Sequence, residues 1–176
     1  MRTTRREAAK LDGEALYQKA VRLLAARGRS EVELRRALRP KAASPADIEA
    51  ALLRLRDHGY LDDRRLAAGF TLYQREIVRH GKMRALRDLR ARGVSAGIAE
   101  EAVQNGYAGT NEDTLLRSFL RARRVKPPAD IRQAASLCRK LLRAGFSPAA
   151  CQRALKAWKL DPEWIQQLGE MQEESE

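Results

Sequence analysis

The chain has 176 residues, of which 44% are hydrophobic, and this fraction is enough to form a buried core and excludes a wholly disordered chain. Its 35 basic and 23 acidic residues give a formal net charge of +12 at pH 7, and 27 of the basic residues are arginine. No apolar run approaches the roughly 18 residues needed to cross a bilayer, so we expect a cytoplasmic protein with no membrane partner.

The composition favours helices along the whole chain. Alanine, leucine and arginine, which are strong helix formers, supply 79 residues, whereas valine, isoleucine and threonine supply 16. Ser30 and Glu33 have the spacing of a capping box, and Ser44 and Ser147 each place an N-cap before a proline. We therefore predict an all-α protein. In chain order, its nine predicted helices are at residues 14–27, 31–39, 45–57, 63–79, 82–92, 96–105, 111–124, 130–144 and 148–158.

The predicted helices fall into three groups of three. Ser44, Ser95 and Ser147 recur at intervals of 51 and 52 residues, and each opens the last helix of its group. This period indicates tandem three-helix repeats, and units so small are expected to pack in a row as an elongated array. Residues 1–13 are predicted to be a flexible N-terminal segment and residues 161–176 an acidic C-terminal tail. The three repeats are predicted at residues 14–61, 62–108 and 109–160.

The sequence contains no arrangement of residues typical of an active site, a metal site or a cofactor-binding loop. His58 and His80 each precede a glycine, and we interpret them as cations near the ends of helices. Cys138 and Cys151 are interpreted as small buried apolar side chains. We therefore predict a protein that is not an enzyme and that binds no cofactor.

Asp62 and Asp63 form the most conspicuous acidic pair. Adjacent carboxylates are able to bind a metal ion or share a proton, but this pair follows a Gly-Tyr-Leu turn and precedes a predicted helix. We interpret Asp62 as the N-cap of that helix, and Asp63 as a residue of its first turn or the partner of a nearby arginine. The pair is then expected to fix the joint between the first two repeats.

Basic residues form one dense cluster in each predicted repeat. In the middle repeat, Met83, Leu86 and Leu89 recur every three residues and are predicted to be buried, which leaves the intervening arginines exposed. Such clusters would form a basic track that fits a phosphate backbone or an acidic protein groove, although charged helix faces also serve solubility alone. The candidate binding residues are Arg35, Arg36, Arg39, Lys41, Lys82, Arg84, Arg87, Arg90, Arg92, Arg121, Arg123, Arg124 and Lys126.

Two other functions are compatible with these patterns. A three-helix unit is able to act as a helix-turn-helix, so a DNA-binding transcription factor is one alternative, although the second helices carry little Asn or Gln to contact base edges. A general helical-repeat adaptor, whose positive charge only keeps it soluble, is the other. Aromatic residues make up 5% of the chain, and no platform for stacking single-stranded bases is evident.

Several motifs resemble the RecX family of bacterial RecA regulators. Residues 59–67 read Gly-Tyr-Leu-Asp-Asp-Arg-Arg-Leu-Ala and are the most specific part of the resemblance, which covers roughly residues 15–158. Residues 29–31, 92–94 and 141–147 also fit the family pattern, whereas Leu66 stands where the family commonly has phenylalanine. The structural residues of these motifs are Ser30, Tyr60, Asp62, Asp63 and Phe70.

The resemblance implies an elongated, curved all-α protein of three tandem three-helix units. Members of the family bind RecA, notably in the groove of its filament on DNA, and suppress ATP hydrolysis, strand exchange and the promotion of repressor self-cleavage. They have no catalytic activity of their own. We therefore expect RecA and its filament on DNA as partners, contact with single- or double-stranded DNA through the basic surface, and a monomer.

Overall fold

The computed structural model describes residues 10–158, together with Glu163 and Trp164. Within these residues the secondary structure is helical, apart from an isolated bridge between Leu11 and Ala42, and the all-α prediction is confirmed. The helices are α1 (Gly13–Ala26), α2 (Glu31–Leu38), α3 (Pro45–Asp57), α4 (Asp63–Tyr73), α5 (Lys82–Ala91), α6 (Ala96–Gly106), α7 (Glu112–Ala122), α8 (Ile131–Arg143) and α9 (Pro148–Ala157). A π-helical segment, the π-turn (Gln74–Val78), continues α4.

The π-turn is the main departure from the predicted helices. The sequence predicts one continuous α-helix at residues 63–79, because nothing in the composition of this segment indicates a π-helical turn. Gln74 is buried at the start of the π-turn, donates a hydrogen bond to Asp88 (3.4 Å) and lies 2.7 Å from His80 Nδ1. Arg79 ends the segment in the left-handed conformation, with a φ of 61°.

The chain divides into two compact units. The first comprises the described residues up to Ala67 together with Arg90–Ala99, and the second comprises Ala68–Leu89 together with the described residues from Glu100 onward. Three helices fall within the bounds predicted for each repeat, except that α1 begins one residue earlier, but the tandem repeats themselves stay a prediction. Most of the predicted N-terminal segment, at residues 1–9, and nearly all of the acidic tail lie outside the described residues.

The first unit is built on capped helices around a leucine core. Leu16, Leu34 and Leu52 are fully buried between α1, α2 and α3. Ser30 accepts a hydrogen bond from Glu33 N (3.0 Å), and the Glu33 carboxylate accepts one from Ser30 N (3.0 Å), which forms the predicted capping box at α2. Ser30 is also fully buried, and its hydroxyl donates to the backbone oxygen of Arg92.

The acidic pair links the starts of two helices within the first unit. Asp62 accepts a hydrogen bond from Arg65 N (3.0 Å) and so caps α4 as predicted. Asp63 lies in the first turn and accepts from Glu31 N (3.0 Å) at the start of α2, and not from an arginine. Burial, followed by the charges of nearby carboxylates, raises the pKa of Asp63. The backbone contact of Asp63 therefore anchors α4 to α2.

The other two motif residues differ in burial. Tyr60 has 56% of its surface exposed, and its ring meets that of His58 edge-on at a centroid distance of 6.1 Å. Phe70 is partly buried. His58 itself lies at the end of α3, as predicted, and its Nδ1 is 2.8 Å from the hydroxyl of Tyr17.

The core of the second unit lies between α7, α8 and α9. Phe119 and Phe146 pack edge-to-face with a centroid distance of 5.3 Å, and both are buried. Cys138 and Cys151 are buried in this core, which confirms their predicted place. A hydrogen bond with Cys138, followed by burial, raises the pKa of the Cys151 thiol.

The start of α5 lies directly against the loop that follows α8. Gly81 N donates to Ala144 O (2.9 Å), and Met83 N donates to Gly145 O (3.2 Å). A Cβ atom added to Gly81 would lie 2.1 Å from Gly145 O, and Gly145 has a φ of +91°. Only glycine allows this approach of the two backbones.

The predicted burial of Met83 is wrong, since 56% of its surface is exposed. An α-helix has 3.6 residues per turn, so a row of residues spaced by three drifts around the helix, and Met83 and Leu89 lie on different sides of α5. The fully buried residues of α5 are Ala85 and Leu89, which are spaced by four.

Removal of the Ser30 hydroxyl should lower the free energy of unfolding by more than removal of an ordinary N-cap does. Ser30→Ala is expected to lower the free energy of unfolding by roughly 2 kcal/mol, because it removes both a cap and a buried hydrogen bond. Ser44→Ala removes the capping box of α3 alone and should cost roughly 1 kcal/mol. Urea denaturation measures both values, and equal losses would contradict a separate contribution from the contact with Arg92.

Gly81→Ala is expected to destabilise the second unit by roughly 1–3 kcal/mol, because its methyl group would overlap the backbone at Gly145. Gly69→Ala provides the control, since Gly69 is an exposed position of α4 with no atom within 4 Å of an added Cβ. That substitution should raise stability by about 0.5–1 kcal/mol. Thermal unfolding of both variants checks the opposite signs, and a stabilised Gly81→Ala variant would disprove the close contact.

Candidate binding surface

The first predicted cluster surrounds the end of α2. Arg35 is held within the first unit, because it donates hydrogen bonds to Glu31 (3.0 Å) and to Glu49 (3.0 and 2.9 Å). These contacts, with Glu49 as the larger effect, raise the pKa of the Arg35 guanidinium. The other three members of the cluster are exposed to solvent: Arg36, Arg39 and Lys41.

Arg92 is a structural residue of the first unit. Its guanidinium donates to Glu33 at 2.9 and 3.3 Å and to Gly28 O at 2.8 Å. Only 19% of the Arg92 side chain and 18% of the Glu33 side chain are exposed, so this ion pair is largely shielded from solvent. The contacts place Arg92 inside the fold and leave its guanidinium little freedom to reach a partner.

The remaining members of the second cluster lie along α5. Arg84 forms an ion pair with Asp88 at 2.8 Å, and Arg87 donates to the backbone oxygen of Arg143 at 2.7 Å. Arg84 and Arg87 belong to the second unit, whereas Arg90 and Arg92 belong to the first. Three members of the cluster have exposed side chains: Lys82, Arg87 and Arg90.

The third predicted cluster lies at the end of α7. The guanidinium of Arg123 is 3.7 Å from the centre of the Phe119 ring and donates to Val78 O (3.3 Å). A cation over an aromatic face is electrostatically favourable, so this stacking fixes the guanidinium in place. All four members are exposed: Arg121, Arg123, Arg124 and Lys126.

His80 is a half-buried residue of the second unit with several arginines near it. Its Nδ1 is 2.7 Å from Gln74 Oε1, its backbone oxygen accepts from the Tyr107 hydroxyl (2.9 Å), and its ring is 6.1 Å from that of Phe119. Burial, then the charge of Arg123, lowers the pKa of His80. The neutral imidazole is therefore favoured at pH 7, and the prediction that His80 acts as a helix-terminal cation is wrong.

Arginines from two of the predicted clusters lie near the His80 imidazole. Arg123 from the third cluster and Arg84 and Arg87 from the second all lower the pKa of His80, whereas Asp88 opposes them. Arg79 in turn contributes to the lowered pKa of Arg123, after burial. We call Arg79, Arg84, Arg87 and Arg123 the His80 arginine group.

Sequence reasoning missed Arg79 and the basic face of α8. Arg79 stands at the end of a predicted helix, where only the following His-Gly step hinted that the chain turns back toward α5. On α8, the buried residues Ala134, Leu137 and Leu141 leave an outward face that the helical period alone could have identified. That face carries the exposed residues Arg132, Arg139, Lys140 and Arg143.

The chemistry available on this surface is that of guanidinium and ammonium donors. Arginine binds phosphate and carboxylate groups through paired, charge-assisted hydrogen bonds. Within residues 10–158 and 163–164, histidine, cysteine, aspartate and glutamate form no group that could hold a metal ion. No helix in this described part of the chain is long and apolar enough to span a membrane.

Comparisons with known proteins agree on one family. The sequence profile of the first three-helix domain of RecX matches residues 17–55. The regulatory protein RecX of Leptothrix cholodnii is 35% identical over 142 residues, covering 81% of this chain and 88% of that protein. The corresponding protein of Herbaspirillum seropedicae is 31% identical over 147 residues, covering 84% and 93%. The crystal structure of RecX from Lactobacillus salivarius is similar in fold, with a TM-score of 0.63 at 18% identity over 84% of this chain and 97% of that one.

The lowered pKa of His80 predicts a stability that depends on pH. In the window below about pH 6.5, the unfolded chain binds a proton at this residue more readily than the folded chain, so stability falls as the pH falls. The melting temperature of the unaltered protein should therefore drop more between about pH 7.5 and about pH 5.5 than that of His80→Gln. Equal drops, measured by circular dichroism, would contradict this assignment.

Proposed function

The chain belongs to the RecX family of regulatory proteins, and we propose that it is a negative modulator of the RecA recombinase. In this proposal it binds RecA and the RecA filament on DNA. Binding inhibits ATP hydrolysis, strand exchange and the stimulation of repressor self-cleavage. The proposal places the protein in the cytoplasm, as a monomer, and assigns it no catalytic step or cofactor.

Family membership is the observation that carries this proposal, and the charge of the chain supports it. A formal net charge of +12 attracts a partner with many negative groups. A filament of protein on DNA has a phosphate backbone, which binds arginine and lysine and releases counterions. The His80 arginine group supplies guanidinium donors from α5, from the end of α7 and from the end of the π-turn.

The internal contacts reduce the set of residues that we propose to touch the partner. Arg35 pairs with two carboxylates and Arg92 is largely shielded from solvent, so we assign both to the stability of the fold. Arg123 is fixed by Phe119 and serves as a rigid donor. The proposed contact residues are Arg36, Arg39, Lys41, Lys82, Arg84, Arg87, Arg90, Arg121, Arg123, Arg124 and Lys126.

Inhibition follows if the bound chain restrains its partner. In this proposal, ATP hydrolysis by the filament depends on movements that the bound chain opposes. A protein held to the filament by several spaced cationic contacts opposes such movements, because each movement would break some of those contacts. The strength of this restraint should fall as salt concentration rises, since phosphate contacts are weakened by competing ions.

Charge reversal on α5 tests the proposal. Arg84→Glu combined with Arg87→Glu is expected to raise the concentration that half-inhibits the DNA-dependent ATPase of RecA by about tenfold or more, because two attractive contacts become repulsive. Lys19→Glu combined with Arg22→Glu on α1 is the matched control, since both residues are exposed and the change in net charge is the same. The control should inhibit like the unaltered chain.

A milder variant protects this experiment against loss of folding. Arg84→Gln combined with Arg87→Gln removes both charges while keeping hydrogen-bond donors for Asp88 and Arg143 O. It should show a smaller loss of inhibition with an unchanged melting temperature. Full inhibition by both α5 variants would remove α5 from the binding surface, and no inhibition by the unaltered chain would overturn the proposed function.

A further inference from the structure

The outward face of the last two turns of α4 and of the π-turn is mostly apolar. Leu72, Tyr73 and Ile77 have 46%, 54% and 63% of their surfaces exposed, and Ala68 and Gly69 beside them are exposed as well. We call these five residues the apolar face. All of them belong to the second unit. The outward side of a surface helix ordinarily carries polar and charged residues, so this face is unusual for a chain in which 33% of residues are charged.

The exposed side of α8 differs from the apolar face, because it carries polar and charged residues. Both α4 and α8 bury one side and expose the other. The exposed residues of α8 are Arg132, Gln133, Ser136, Arg139, Lys140 and Arg143. The exposed charged residues of α4 and the π-turn are Arg64 and Arg65 in the first turn of α4, and Glu76, whose carboxylate pairs with Arg75 at 2.7 Å. Solubility therefore does not account for the composition of the apolar face.

The π-turn aligns the members of this face. Gly69, Tyr73 and Ile77 are spaced by four, and in a regular α-helix such a row drifts steadily around the axis. A π-turn holds more residues per turn, which offsets this drift and returns Ile77 toward the row. Buried Gln74 holds the turn through its contacts with Asp88 and His80. The contacts that maintain the π-turn therefore also keep the apolar side chains on one side of the helix.

Cations border this face at its C-terminal end. Arg79 follows Ile77 by two residues, and exposed Lys82 begins α5. A complementary partner is therefore apolar at its centre and carries carboxylates at its edge. A second copy of this chain docked through the same face would place its own Arg79 and Lys82 near these cations, and the like charges would repel. A phosphate backbone would gain nothing from Leu72 or Ile77, which offer no hydrogen-bond donors.

We infer that the apolar face docks on a protein surface that is apolar with an acidic rim. This inference rests on the proposed function, and it assigns that surface to the protein component of the filament, while the arginines among the proposed contact residues bind DNA phosphates. Docking buries Leu72, Tyr73 and Ile77, and exposed apolar and aromatic side chains of this kind supply much of the affinity at protein interfaces.

The test uses the full chain with Leu72→Ser and Ile77→Ser combined, and Leu53→Ser as the control. Leu53 is 53% exposed on α3 and lies outside the apolar face, so its loss removes a comparable exposed side chain. Binding is measured to purified RecA without DNA, and separately to single-stranded DNA without RecA. The double variant should bind RecA at least about tenfold more weakly and DNA within about twofold of the unaltered chain. The control should be unchanged in both assays.

Each other result overturns the inference. If the double variant binds RecA and inhibits its ATPase like the unaltered chain, the apolar face does not bind RecA, and the proposed function is still supported. A similar loss of DNA binding would make this face a nucleic-acid surface. A dimer of the unaltered chain that the double variant dissociates, seen by sedimentation, would make it a self-association surface. Absence of any RecA binding by the unaltered chain would overturn the proposed function together with this inference.

Discussion

The buried hydrogen bonds at the start of α2 hold the first unit together. Ser30 and Glu33 cap the helix, and the same two side chains bond to the backbone and the guanidinium of Arg92, about sixty residues further along the chain. Every polar group in this small network has a partner, which is the condition under which a buried polar network stabilises a fold. Through Arg92 the network attaches Arg90–Ala99 to α2, so the composition of the first unit depends on it.

Several acidic residues have structural roles at particular positions of the fold. Carboxylates occupy the starts of helices, where they accept bonds from free backbone N–H groups: Asp12, Asp47, Asp62 and Asp130 all do so. Others neutralise particular arginines, as Glu49 does for Arg35 and Asp113 does for Arg153. These carboxylates keep their charge, but each is committed to a contact within the fold, and basic residues outnumber acidic ones by 35 to 23. The net positive charge is thus set by composition, while the internal contacts decide which basic side chains are held within the fold.

The sequence predicted what is decided locally and missed what is decided between distant residues. The ends of the helices agree with the structure because capping serines, prolines and helix-ending glycines act on their immediate neighbours. The π-turn was missed, since it depends on contacts of Gln74 with Asp88 and His80. The basic clusters were identified, but the internal ion pair of Arg92 was not, and neither was the approach of Arg84, Arg87 and Arg123 to one imidazole. Spacing along the chain does not reveal which cations a fold brings together or neutralises.

The burial of both cysteines has a practical consequence. A thiol reacts with peroxides and alkylating reagents as the thiolate, and the raised pKa of Cys151, together with the burial of Cys138 beside it, keeps this pair in its unreactive form. These are the only two cysteines of the chain. A single cysteine introduced on the exposed side of a helix would therefore be labelled selectively in the otherwise native protein, which makes the chain well suited to fluorescence measurements of how it sits on its partner.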